Sequence, residues 1–344
     1  MDKVQYFQNN KSLTGSVIVD LRSPKEYRLG HVPGAVNVPL FDDEERHEVG
    51  FTYKQVGRLE AIQLGLEIVA KKVEALLGEL EGLCSGGKGL VLYCWRGGMR
   101  SNSVAKLLDS MSIDVSILDG GYKSYRRQVL DLISQVSEKR FIVLMGRTGV
   151  GKSEVLRQAT DMGTLDFEAY ANHRGSAFGD LNQRQQTSTQ QNFENVLAED
   201  LFRLRNEKTF LVEIENYFGE INVPKNLREK MLSSPIIVLK RARESRIKHI
   251  LNDYVSDWDT ELCSEVCARV QMALGKYFSV QTVESLQEKV RQFRLDEVVG
   301  TLLDIRYDPL YDKKLKKHRD RVLTEIDVTH GYQGVHRFLN THLG

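Results

Sequence analysis

Short runs of consecutive apolar residues alternate along this chain with longer stretches in which apolar residues recur every three or four positions. Ser16-Val-Ile-Val-Asp20, Leu90-Val-Leu-Tyr93 and Phe141-Ile-Val-Leu-Met145 have the unbroken apolar character of buried strands, and residues 210–214 and 235–239 repeat it. Val104, Leu107, Leu108 and Met111 fall on one face of a helix that follows the second run, and another helical stretch extends to about Val136. From about Arg241 the pattern is mostly helical, with one more short strand at residues 322–328. Strands alternating with helices predict parallel sheets, so the fold class is α/β. The polar residues 137–140 interrupt the pattern and predict domains at 1–137 and 138–344, the second with a helical, basic C-terminal part from about residue 241.

Length and composition agree with this division. A chain of 344 residues has room for two cores, and 41% apolar with 28% charged residues is ordinary globular usage. No apolar run approaches the roughly 18 residues of a membrane span, and residues 1–10 are polar and mixed, unlike a signal peptide. A cytoplasmic protein without a membrane or an obligate protein partner is the simplest expectation. Four cysteines (Cys84, Cys94, Cys263, Cys267) are too few for a disulfide framework, and Cys263 and Cys267 share a helix face suited to packing. The net charge of +1 announces no nucleic-acid partner, so any RNA surface must come from local segregation of charge. Lys240-Arg-Ala-Arg-Glu-Ser-Arg-Ile-Lys-His249 and Lys313-Lys-Leu-Lys-Lys-His-Arg319 are the two basic clusters that could supply one.

Candidate chemistry concentrates after two of the strands. Cys94-Trp-Arg-Gly-Gly-Met-Arg100 lies between a strand end and a helix start, where backbone amides and the helix dipole favour a thiolate. Arg96 and Arg100 add positive charge, and Gly97 and Gly98 let amides turn inward to cradle an oxyanion. The alternative for Cys94 is a small core residue, as most free cysteines are. Gly146-Arg-Thr-Gly-Val-Gly151-Lys152-Ser153 matches the phosphate-binding pattern G-x-x-x-x-G-K-[ST] in the required strand-to-helix context. Gly146, Thr148, Gly149 and Gly151 would surround a diphosphate, Lys152 would neutralise it, and Ser153 could ligate Mg²⁺, whose need is left open. Glu213 and Glu215 end a strand where an acid could assist a metal or a base. His173 and Arg174, in a polar segment after the phosphate-binding helix, are candidate substrate contacts.

The run from Asp20 through Arg22, Glu26, His31 and Gly34 to Ala35, followed by the Cys94 loop, resembles the rhodanese domain, with Asp20, Arg22 and His31 as structural partners of the loop. Arg100 stands six positions after the cysteine, one further than in common sulfurtransferase rhodaneses, and this larger loop suits a selenophosphate-derived group. A rhodanese-like domain followed by a P-loop NTPase-like domain resembles the tRNA 2-selenouridine synthase family. Further marks are Glu48-Val-Gly-Phe-Thr-Tyr-Lys54-Gln55, Gly120-Gly-Tyr-Lys123, His173-Arg-Gly-Ser-Ala-Phe-Gly179 and Tyr307-Asp-Pro-Leu-Tyr311. The resemblance implies a tRNA-modifying transferase that alkylates the sulfur of a wobble 2-thiouridine with geranyl diphosphate, then replaces it with selenium from selenophosphate. No tightly bound cofactor is implied. Rival expectations are an ATP-dependent tRNA sulfurtransferase, or a P-loop kinase or nucleotide switch with an accessory rhodanese domain.

Overall fold

The computed structural model describes residues 2–8, 15–159, 163–173, 188–254 and 259–343. Contacts divide the chain into two units, Met1–Ile133 with Thr189–Phe202, and Ser134–Ser188 with Arg203–Gly344. A single boundary at 137/138 therefore leaves one segment, Thr189–Phe202, on the opposite side from the residues it packs against.

The first unit is built on β1 (Lys3–Val4), β2 (Val17–Asp20), β3 (Val36–Asn37), β4 (Leu90–Tyr93) and β5 (Val115–Leu118). They form one parallel sheet in the order β1-β5-β4-β2-β3. Its helices are α1 (Pro24–Leu29), α2 (Asp43–Gln55), α3 (Arg58–Ala70), α4 (Val73–Leu83), α5 (Met99–Ser110) and α6 (Gly121–Gln135). Local chemistry sets two starts: Ser23 with Glu26 and Asp42 with Glu45 each form a capping box, and Pro24 presets the first turn of α1. Val19, Leu21, Leu90, Leu92, Val104, Leu108 and Ile117 fill the core between sheet and helices.

The second unit carries β6 (Arg140–Gly146), α7 (Lys152–Gln158), β7 (Gly163–Leu165), α8 (Phe167–Ala171), β8 (Thr209–Glu213), a small antiparallel pair β9 (Tyr217–Phe218) and β10 (Ile221–Asn222), α10 (Lys225–Ser233) and β11 (Ile236–Lys240). Between α8 and β8 the chain runs through α9 (Gln190–Arg203), which falls almost wholly in the first unit. Helices α11 (Arg243–Tyr254), α12 (Thr260–Leu274), α13 (Val280–Arg291), α14 (Leu295–Leu302) and α15 (Asp308–Lys317) precede β12 (Val322–Asp327) and α16 (Gln333–Leu343). The parallel sheet runs β12-β11-β6-β8-β7. Helices α12 to α14 bury a cluster of their own around Val270, Leu286 and Val290, with Cys263 and Cys267 packed on it.

The strand order reverses between β2 and β4 in one sheet and between β6 and β11 in the other. Crevices at the carboxyl ends of such strands are where α/β sheets bind ligands. Cys94 and the Gly146–Ser153 run leave the sheets at those two points. Among the described residues no helix is long and apolar enough to cross a membrane.

Candidate functional sites

Cys94 is the first residue after β4 and is buried, with 3% exposure. Its Sγ lies 3.3 Å from the Ser101 hydroxyl, which also approaches the Gly98 carbonyl at 3.2 Å. Burial pushes the thiol up. The Ser101 hydroxyl, the Arg100 charge and the backbone N–H groups of Ser101 and Arg96 outweigh it, so the net pKa lies below the ordinary thiol value. Helix α5 starts at Gly98 without a side-chain cap, leaving its first amides free to face an anion. The Asn102 side-chain amide pins the loop from outside, donating to the carbonyls of Gly97 (3.0 Å) and Gly98 (2.7 Å). Arg100 is held by Glu26 at 3.3 Å.

The Gly120-Gly121 turn finishes the cradle. The N–H of Tyr122 donates to the Cys94 carbonyl and that of Lys123 to the Trp95 carbonyl, both at 2.9 Å. Gly121 has φ +61°, and a Cβ there would collide with the Cys94 carbonyl and the Gly97 nitrogen, so the second glycine pair is the footing of the first.

Asp20, Arg22 and His31 are structural, as their residue types suggest. Arg22 donates to both Asp20 carboxylate oxygens and, at 2.6 Å, to the Gly30 carbonyl, while its guanidinium lies 3.8 Å from the Tyr122 ring centre. His31 stacks on Tyr27 and accepts α9 beside it: the His31 N–H donates to Asn192 Oδ1 at 3.0 Å, and Asn195 Nδ2 donates to the His31 carbonyl at 2.7 Å. Asn195, fully buried, also donates to the Tyr122 hydroxyl and accepts from Arg126, which pairs in addition with Glu194.

The second site is a loop between β6 and α7. Gly149 (φ +79°) has no room for a side chain, because a Cβ would lie 2.8 Å from Ile250 and 2.9 Å from the Arg246 carbonyl. The loop is clamped from α11 and α15. Arg246, 2% exposed, donates to the Thr148 carbonyl at 3.2 Å and to both Asp308 oxygens at 2.8 and 2.7 Å. Arg147, inside the loop, reaches Asp308 at 3.3 Å and Asp312 at 2.9 Å. The Tyr307-Asp-Pro-Leu-Tyr311 motif is therefore a loop anchor. At the far end of the loop Tyr332 donates to Glu154 and accepts from Arg241.

Acids gather where the loop meets α7. The Ser153 hydroxyl donates to Glu168 Oε2 at 2.6 Å. Glu213, at the end of β8 and fully buried, has neither carboxylate oxygen hydrogen-bonded. Burial first, then the charge of Glu168, hold its pKa well above the usual carboxylate value, with Lys152 opposing them. Burial likewise raises Asp166. Glu215 is only half-buried, whereas His173 is buried and packs its ring against Phe218. Arg174 lies outside the described residues. No cluster of three or more acid, histidine or cysteine ligands exists among the described residues. The orphaned carboxylate of Glu213, which feels the charges of Lys152 and of Glu168, the partner of Ser153, nonetheless fits a divalent cation completed by phosphate oxygens.

Sequence reasoning missed Ser101, Arg246, Asp308 and Tyr332. Asp308 sits in a motif the sequence singles out, and Ser101 directly follows the loop arginine. Arg246 falls in the Lys240–His249 cluster that the sequence offers as an RNA surface, where nothing marks it as a loop clamp, and Tyr332 has no local signature. The basic cluster on β11 and α11 is largely spent internally: Lys240 pairs with Glu325, Arg243 with Asp304 and Arg246 with Asp308.

Comparison with known proteins matches residues 3–128 to the rhodanese-like domain and residues 139–297 to the tRNA 2-selenouridine synthase AAA domain. The tRNA 2-selenouridine synthase of Shewanella frigidimarina is 32% identical over 94% of each chain. That of Pseudomonas syringae pv. syringae is 41% identical over 72% of this chain and 67% of its own. Among solved structures, the N-terminal domain of a putative ATP/GTP binding protein from Clostridium difficile 630 is 40% identical, covering 37% of this chain and 97% of that one with a TM-score of 0.34.

Proposed function

This chain belongs to the tRNA 2-selenouridine synthase family, and we infer from that membership that it exchanges the sulfur of a wobble 2-thiouridine in tRNA for selenium, in two steps served by its two sites. In the first, the thiouridine sulfur attacks C1 of geranyl diphosphate, the carbon–oxygen bond breaks, and diphosphate leaves with the electron pair. Lys152 and the amides of residues 146–151 would meet that developing charge. No protein nucleophile is needed, because the attacking atom belongs to the tRNA. Glu213 and Ser153 would hold a divalent cation, which when bound would neutralise more of the diphosphate charge.

In the second step the selenium of selenophosphate attacks C2 of the base, geranyl thiolate leaves with the carbon–sulfur electron pair, and water then cleaves the selenium–phosphorus bond, releasing phosphate and leaving the 2-seleno group. The amides of residues 96–98 and Arg100 would bind the phosphate of selenophosphate, and the Cys94 thiolate would handle the activated chalcogen. The observation that carries this reading is the thiol of Cys94, held below its ordinary pKa inside an amide cradle, in a chain that also carries a diphosphate loop.

Mass spectrometry of digested tRNA separates the steps. Cys94→Ser should accumulate geranylated tRNA and yield little selenouridine, since a hydroxyl does not ionise near neutral pH. Lys152→Ala should fail to geranylate yet still convert tRNA supplied already geranylated. Normal selenouridine from folded Cys94→Ser would remove the thiolate from the mechanism.

A further inference from the structure

One motif is left without a role by either step: Glu48-Val-Gly-Phe-Thr-Tyr-Lys54-Gln55, on α2. It forms one wall of a cavity of about 730 Å³ in the first unit, closed by α3 on one side and α5 on the other. That volume falls in the roughly 300–1,000 Å³ range of small-ligand sites. Most of the wall is apolar, with Val49, Phe51, Ile62, Leu66, Val104 and Leu107 among its residues. Leu66, Phe51 and Met99 are 65%, 57% and 50% exposed, so the chain itself leaves much of this apolar surface uncovered.

Two features say what kind of molecule covers it. Met99 and Arg100, the first two residues of α5 and the end of the Cys94 loop, line the cavity, so it opens beside the anion cradle. The charged residues of the lining are all basic, Arg46, Lys54, Arg58 and Arg100, of which Arg46 and Arg100 share the Glu26 carboxylate behind the wall. An apolar chamber with a cationic border suits an apolar chain carried on a polyanion.

We propose that this cavity receives the prenyl chain of the S-prenylated thiouridine while its RNA phosphates meet the cationic border, thereby delivering the base to the Cys94 loop. The assignment rests on the two-step reading above. It adds that the first unit selects its substrate by the chain: the prenyl group is both leaving group and address. A 2-thiouridine without the chain leaves the chamber unfilled and docks more weakly.

Ser103 offers the test, because it is exposed on the cavity wall and outside the core. Binding of two anticodon stem-loop RNAs, one with S-geranyl-2-thiouridine and one with 2-thiouridine, would be measured on the full chain by fluorescence anisotropy. The native protein should prefer the geranylated RNA by at least about ten-fold. Ser103→Trp, which puts an indole into the chamber, should bring the ratio close to one, and an S-methyl RNA should bind the native protein like the 2-thiouridine RNA. Leu66→Gln, at an exposed position, should lower the ratio without plugging the chamber. An unchanged ratio in both variants, each with its native melting temperature, overturns the proposal. So does a loss confined to free geranyl diphosphate, which would make the donor the occupant. If the native protein neither geranylates thiouridine RNA nor converts geranylated RNA, the two-step reading itself fails. Conversion that proceeds with no preference between the RNAs fails the cavity alone.

Discussion

Glu213 has both carboxylate oxygens buried without a hydrogen-bond partner, a state that costs stability unless the group is neutral or meets a cation. Its folded pKa is raised, so the folded state holds a proton that the unfolded state has already released once pH exceeds the ordinary carboxylate value. The contribution is favourable relative to ionisation at low pH and is lost as pH rises through the folded pKa. Glu213→Gln removes this dependence. Its melting temperature should gain on that of the native protein as pH rises from 5 to 8 in thermal scans without metal, and a parallel offset at all pH values would contradict the assignment. This acid could be picked out from the sequence as the end of a strand beside the diphosphate loop. Its equal standing there with Glu215 could not be broken, because burial separates the two and burial is a property of the folded sheet. Cys94 was legible for the opposite reason, since the Arg100 charge and the loop amides lie within seven residues of it, although its strongest activator, the equally local Ser101 hydroxyl, went unread.

At the scale of elements, continuous apolar runs marked β2, β4, β6, β8 and β11 to within a residue or two. The two- and three-residue strands β1, β3 and β7 are too short to imprint a period. Helix α9 shows the deeper limit: apolar spacing reports that a face is buried but not what buries it. Phe193, Leu197 and Leu201 make a regular stripe, and only the polar contacts of Asn192 and Asn195 reveal the partner. The anchor from α15 was visible as a motif and silent as to purpose. Asp308→Ala would leave the buried Arg246 guanidinium without its counter-charge, and removing one partner of such a pair costs roughly 3–5 kcal/mol. The variant should melt well below the native protein, and stabilisation by geranyl diphosphate should shrink with it. An unchanged melt would mean that the Thr148 carbonyl alone satisfies Arg246.

For the whole molecule, a near-zero net charge leaves RNA affinity to the cations not already paired. Lys314 donates to the Ile214 carbonyl and Arg319 pairs with Glu325, so of the α15 cluster Lys313, Lys316 and Lys317 are the ones to reverse. If they meet tRNA phosphates, the triple change to Glu should flatten the dependence of log affinity on log salt by about two to three units. An identical slope would put the RNA on another surface.

The interleaving of the two units has a temporal side. Translation reaches Ile133 with the strands of the first unit complete, yet Asn195, the residue that ties His31, Tyr122 and Arg126 together, is encoded some sixty residues later, beyond the first strands of its neighbour. At about 5–20 residues per second the ribosome needs roughly 3–12 s to supply it. During that interval the nascent first unit exposes the surface that α9 will cover, and the second unit already has β6 and its glycine-rich loop outside or leaving the exit tunnel. The two halves of this enzyme are therefore finished in overlap rather than in turn, and a gene cut at the apparent domain boundary would sever a helix from the core it was made to close.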